Sequence, residues 1–249
     1  MMKTWIMLLA LAVWPMAGQA RDILLATTEW PPYTSQALPG RGANTEVVRA
    51  ALAAAGWRLQ VQVLPWSRTV RTGMREPGFS GYFPEYDSPE VRKRCRLSQP
   101  IGSGPLGVAY QRSKPFEWAT IADLQGIRLG VVQDYVNTPD LDAAISSGKQ
   151  PVDRALDDAQ NLLKLAGNRI DAAVIDRRVF EFLMQTEPRL RPVAGKLAFH
   201  DRLLGEKLLY VCFRPDPSTE PVARRFDESM RRLDANAIMQ RYQTNVIVR

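Results

Sequence analysis

The stretch "TIADLQGIRLGVVQDYVNT", residues 120–138, decides how the chain is read. Its centre, "IRLGVV", reads as a buried strand, and "NTPDLDAAI" opens a helix directly after it. Thr138 suits the cap of that helix, Pro139 its first position, and Asp140 its positive end. The pairing restarts a rhythm that the chain has already run once. Upstream, "DILLAT" (22–27) reads as a buried strand. Val47, Val48, Ala51, Leu52 and Ala55 then recur at helical spacing, and Gly56 stops that helix. "RLQVQVL" alternates as a strand should, "WSRTVRTGM" is a short helical pattern, "GFSGYF" mixes turn and strand residues, and "PLGVAYQ" is another strand. Downstream, Asp157 caps a helix with an apolar stripe of Ala159, Leu162, Leu163 and Ala166. "DAAVI" (171–175) is a short buried strand leading into the helix "DRRVFEFLM". "LLYVCF" and a charged helix near "PVARRFDESMRRL" close the chain. Two βα series separated in the middle make this an α/β chain.

Composition narrows the function. The first residues carry Lys3, the apolar run "WIMLLALAVW" and the small residues "GQA", the pattern of a secretory signal peptide cut after Ala20. That run is short for a membrane span, which needs about 20 residues, and no later segment qualifies. The remaining length suits two lobes of roughly 100 residues each. A hydrophobic content of 45% and a charged content of 24% are ordinary for a globular protein. The formal net charge of +7 is scattered rather than massed, so it reads as a solvated basic surface and not as a nucleic-acid face. The two cysteines, Cys95 and Cys212, would lie in an oxidising compartment, which permits a bridge without specifying one. A single histidine, His200, leaves neither a zinc site nor a Ser-His-Asp constellation. No catalytic residues, metal or cofactor are expected, and the chain reads as a non-enzyme.

Ligands of open α/β sheets sit outside the carboxyl ends of the strands. "TTEWPPY", "QDYVNT" and Asp176 all follow strands at that end. Three loops bearing aromatic and polar side chains in equivalent places point to one shared cleft.

These segments, in order, resemble the bacterial extracellular solute-binding proteins of family 3, the polar amino-acid type. The resemblance rests on the aromatic-proline loop "EWPPY", on "SPEVRKRCRLSQPI", on "TIADLQGIRLGVVQDYVNT" and on "AGNRIDAAVIDRRV". It implies a type II periplasmic binding fold, two α/β lobes joined by two hinge strands. Lobe one would be residues 21–110 and 210–249, and lobe two residues 111–209. Both cysteines would then fall in lobe one near the hinge, within reach of each other. The implied function is capture of a small polar solute, an amino acid or related zwitterion, by a periplasmic monomer that delivers it to the permease of an ABC transporter. Exported dehydratases of cyclohexadienyl acids and ligand sensors on the same fold are the alternatives. The dehydratase reading would call on Glu29 or Glu85 as acid or base.

Carried residue by residue, the resemblance makes Trp30 a ring that stacks on the ligand and Asp176 the partner of its ammonium. Each also has a structural role open to it, as a packed loop aromatic and as a helix cap. Tyr33 and Glu29 flank Trp30, and Trp66 and Arg68 lie in "LPWSRTV". Tyr82, Phe83 and Tyr86 in "GYFPEYDS" replace the family's small hydroxyl residues, either as ring walls or as core. Tyr135, Asn137 and Thr138 stand at a helix N-terminus, where free N–H groups favour anions. The family's arginine, a bidentate clamp for the α-carboxylate, falls on Val91 by spacing. Arg92, one residue on, and Arg68 are the two candidates to replace it.

Overall fold

The computed structural model describes residues 21–247. The expected signal peptide lies outside them. The first βα series comprises β1 (Arg21–Thr27), α1 (Ala43–Ala54), β2 (Trp57–Val63), α2 (Trp66–Arg75) and β3 (Phe79–Tyr86). β1 pairs in parallel with both β2 and β3. A corner follows, α3 (Pro89–Arg94) and the short β4 (Arg96–Leu97), and then the long β5 (Gly102–Gln111). The second series runs β6 (Leu129–Val132), α4 (Pro139–Ser146), β7 (Val152–Ala155), α5 (Asp158–Ala166), β8 (Ala172–Asp176) and α6 (Arg177–Thr186). There β6 pairs in parallel with β7 and β8. β9 (Leu197–Phe199), β10 (Gly205–Phe213), α7 (Glu220–Met230) and α8 (Ala235–Tyr242) complete the chain.

The strand order is β2-β1-β3-β10-β5-β8-β6-β7, so two parallel sets flank an antiparallel pair. The first half of β5 pairs with β10, from Gly102↔Leu209 to Leu106↔Gly205, and its second half with β8. β5 and β10 thus join the two sets. Both begin earlier than their apolar runs, because "GSGP" and "GEK" carry polar and small residues where the two strands pair with each other. After β10 the chain returns to the first set, where α7 and α8 pack on α1.

The helices bury most of the stripes expected of them; Ala55, expected in the first, is instead the half-buried C-cap of α1. Val47, Val48, Ala51 and Leu52 of α1 are fully buried, as is Leu162 of α5. Leu165, rather than Leu163 or Ala166, completes the inner face of α5. Asp157 caps α5 by accepting from the Gln160 N–H, and Thr138 caps α4 by accepting from the Leu141 N–H. Cys95 and Cys212 form a disulfide that ties the end of α3 to β10 across 117 residues of sequence.

Candidate functional site

The loop after β1 folds back on itself. The Trp30 N–H donates to the Thr34 carbonyl at 2.7 Å, and the Tyr33 N–H to the Trp30 carbonyl at 3.0 Å. This turn stacks the Trp30 and Tyr33 rings with centroids 4.6 Å apart, and both side chains are buried. Their polar ends reach across to the second βα series. The Trp30 indole N–H donates to Asp158 Oδ2 at 3.1 Å, and the Tyr33 hydroxyl to Asp176 at 3.1 and 3.2 Å. Gly104 of β5 makes room beneath the second contact: a Cβ there would lie 2.0 Å from Asp176 Oδ2 and 2.4 Å from the Tyr33 hydroxyl.

The two carboxylates are buried and differently supported. Asp176 ends β8 and caps α6, accepting from the N–H groups of Arg178 and Val179 at 2.8 and 3.1 Å. Burial pushes its pKa up to about 7, against the pull of those donors, of Tyr33 and of the Arg178 guanidinium. Asp158 opens α5. Burial, reinforced by Asp157 and Asp176, pushes it up to about 8, and only the Trp30 indole acts the other way.

β3 and the corner after it supply the opposite wall. Glu85, only 2% exposed, accepts from the Tyr82 hydroxyl at 2.7 Å, from Arg94 at 2.7 Å and from the Tyr86 N–H at 2.7 Å. Burial raises its pKa, and these donors oppose the rise. Tyr86 meets Trp30 edge-on at 6.0 Å. Its hydroxyl is buried without a hydrogen-bond partner among the described residues. Trp66 donates its indole N–H to the Asp134 carbonyl at 2.9 Å and stands edge-on to Tyr135 at 5.3 Å. Two small adjoining cavities, of about 20 and 10 Å³, share Trp30, Tyr86, Tyr135 and Val136 as walls. The first also touches Trp66 and Glu85, and the second Asn137, Asp158 and Asp176.

The structure therefore brings together Trp30, Tyr33, Trp66, Tyr86, Tyr135, Asn137 and Asp176. Tyr82 lies one contact behind, bonded to Glu85, and Phe83 is in the core. Thr138 is occupied with its cap. Three charged candidates stand apart. Glu29 is exposed and accepts from the Gln36 N–H at 2.7 Å. Arg68 is exposed and lines neither cavity. The Arg92 side chain is 69% exposed and held bidentately by Asp87, because the helical turn of α3 points Val91 inward instead.

Sequence reasoning passed over Asp158, Lys207 and Arg178. Lys207 lies 5.0 Å from the Tyr86 ring centroid and donates to the Asn137 carbonyl at 2.6 Å. Asp158 would have followed from the strand-end rule had β7 been visible, but "VDRA" at a sheet edge has no apolar run. Among the described residues no group of His, Cys, Asp or Glu is arranged to hold a metal ion, and no helix is long and apolar enough to cross a membrane.

No protein-family model matches the chain, and no curated protein matches it. Solved structures do. It is similar to a histidine kinase sensor domain that itself resembles periplasmic binding proteins, with TM-score 0.74 and 18% identity over 91% of this chain and 97% of that one. It is similar to the GluR0 ligand-binding core from Nostoc punctiforme in complex with L-glutamate, with TM-score 0.70 and 16% identity over 89% and 98%. An ancestral arginine-binding protein bound to arginine aligns with TM-score 0.68 and 13% identity over 90% and 96%. At such identities the likeness speaks of architecture, and the architecture is the two-lobe α/β fold of periplasmic binding proteins.

Proposed function

We propose that the protein is a solute-binding protein of the family 3 type, capturing a small polar solute that bears an amine. The lobes in this reading are residues 21–110 with 210–249, and residues 111–209. The supporting observation is the seam itself: Trp30 and Tyr33 from one lobe meet Asp158 and Asp176 from the other beside two ring-walled cavities. Asp176 and Asp158 together form the acidic side that receives the solute's cationic end, and the rings form its walls. Hinging on β5 and β10 opens the seam by breaking the side-chain hydrogen bonds across it, among them those of Trp30, Tyr33, Trp66 and Arg178. A bound solute replaces them with contacts to both lobes, and closure strengthens those contacts by excluding water.

The amino acids bound by the glutamate and arginine relatives make an amino acid or zwitterion the first class to test. Export by a cleaved signal peptide, a periplasmic monomer and delivery to an ABC permease belong to the same proposal. Binding is favoured over dehydration because Glu85 is held by Arg94, Tyr82 and the Tyr86 N–H, while Glu29 faces solvent. The likeness to a kinase sensor domain supports a second reading, presentation of the ligand to a receptor.

A thermal-shift screen of the ligand-stripped protein tests the reading. A true solute at a hundred-fold excess over Kd adds about 2.7 kcal/mol of stability. The shift should shrink in Asp176→Ala, which removes one of the two carboxylates. A panel of amino acids, amines and organic acids that moves nothing would remove the solute-binding role. Deletion of the chain's gene, with loss of solute uptake or instead of signalling, separates transport from sensing.

A further inference from the structure

Resting on the solute-binding reading above, we infer that the cleft selects an organic cation without a carboxylate, its charged nitrogen held between Asp158 and the rings of Trp30, Tyr86 and Tyr135.

The cation side is built and unfilled by the protein's own charges. Asp158 borders the smaller of the two cavities, and its side-chain partner among the described residues is the neutral Trp30 indole. The charges that face it are both negative, Asp157 on its own helix and Asp176 at the end of β8; the remaining neighbours, Tyr86 from β3 and Tyr135 from the loop after β6, are neutral phenols. A buried carboxylate without a counter-ion is costly, and a cation admitted as the seam opens relieves that cost. The nearby protein cations are engaged elsewhere. Lys207 is bonded to the Asn137 carbonyl and faces Asp142, Asp87 and Glu85. Arg178 is bonded to the Ser103 carbonyl at 2.7 Å and faces Asp176 and Glu206, and Arg94 is bonded to Glu85.

A second observation points into the same space. The Tyr86 side chain is 7% exposed, lines both cavities, and carries a hydroxyl with no partner among the described residues. That oxygen can accept from an N–H of a ligand. The Tyr86 ring already takes a cation on one face, since the Lys207 ammonium stands 5.0 Å from its centroid.

The anion side is absent from the cleft lining. Val91 is fully buried where the family's arginine falls, Arg92 is tied to Asp87, and Arg68 is exposed. The N-terminus of α4 does not replace them. Asp142 accepts from the Asn137 N–H at 2.9 Å, Thr138 accepts from the Leu141 N–H, and Asp140 and Asp142 put negative charge in the first turn. A carboxylate brought here would meet these carboxylates, and the nearby Lys207 ammonium is already bonded to the Asn137 carbonyl.

Matched pairs that differ only in the α-carboxylate test this by titration calorimetry at pH 8.5 on the ligand-stripped protein: agmatine against L-arginine, and putrescine against L-ornithine. The decarboxylated member of a pair should bind at least ten-fold more tightly. Asp158→Asn should weaken its binding at least ten-fold while thermal unfolding remains cooperative. Equal or tighter binding of L-arginine and L-ornithine overturns the inference and leaves the solute-binding reading standing. Agmatine binding unchanged by Asp158→Asn also overturns it. Silence from both members of both pairs overturns it as well, and only silence across the wider thermal-shift panel takes the solute-binding reading down too.

Discussion

Two buried acidic regions of this molecule look alike in sequence and differ in physics. At the corner of β3, α3 and β10, Glu85 is 2% exposed and meets three donors, one of them the Arg94 guanidinium. The disulfide between Cys95 and Cys212 closes the same corner, in one apolar cluster with Tyr82 and Val91. At the seam between the two strand sets, Asp158 is also buried and meets one neutral donor and two like charges among the described residues. The first region is complete without a partner and the second is not. Burial alone therefore does not distinguish the two carboxylates; the counter-charge does.

The contrast is broken most strongly at the corner. Replacing both Cys95 and Cys212 by Ala removes a cross-link between residues 117 apart, and should cost about 4–5 kcal/mol in a chain-entropy account, read as a lower urea midpoint. Ligand affinity measured below that midpoint should be unchanged. Arg94→Leu leaves Glu85 buried without its cation and should cost about 3 kcal/mol; the 36% exposure of the Arg94 side chain places this at the low end for a broken buried pair. A neutral result there would make the corner resemble the seam and erase the contrast.

At the seam the sign reverses. Asp158 titrates at about 8 in the folded protein against 3.8 as its ordinary value. Between those values the unfolded chain releases a proton that the folded chain keeps. Stability from this group is thus fully present below about pH 4 and is lost as pH rises toward 8. Asp158→Asn should match the parent near pH 4 and exceed it by on the order of 1–2 kcal/mol at pH 8, since opening of the halves limits the gain. Unfolding curves at both pH values check this. A destabilised Asp158→Asn at pH 8 would make the residue a structural one, like Glu85.

How much of this was legible depended on where the apolar signal survived. The two βα series could be read because α1 and β8 carry clean buried patterns, Val47 to Leu52 and Ala172 to Ile175. The strand-end rule brought Trp30, Tyr135 and Asp176 to one cleft, and they line it together. The rule failed where its strand was hidden: Asp153 and Arg154 in β7 are exposed, so the loop that delivers Asp158 had no announced strand before it. The arginine question was not decidable by spacing, because α3 turns successive side chains to opposite environments, Val91 inward and Arg92 out to Asp87. Cys95 and Cys212 gave no distance in the sequence; their pairing became visible only once β10 lay against β4.

The smallest expected effect separates the two contacts within the seam. Tyr33→Phe keeps the ring stacked on Trp30 and removes the hydroxyl that donates to Asp176. Asp176 retains the N–H groups of Arg178 and Val179, so the loss should be about 1 kcal/mol, that of one ordinary hydrogen bond. Asp158 has no such reserve, since the Trp30 indole is the lone donor to it among the described residues. Tyr33→Phe should therefore lower the unfolding midpoint slightly and leave the preference between agmatine and L-arginine as it was. A changed preference would move the recognition of charge from Asp158 to Asp176, and with it the part of the seam that distinguishes one solute from another.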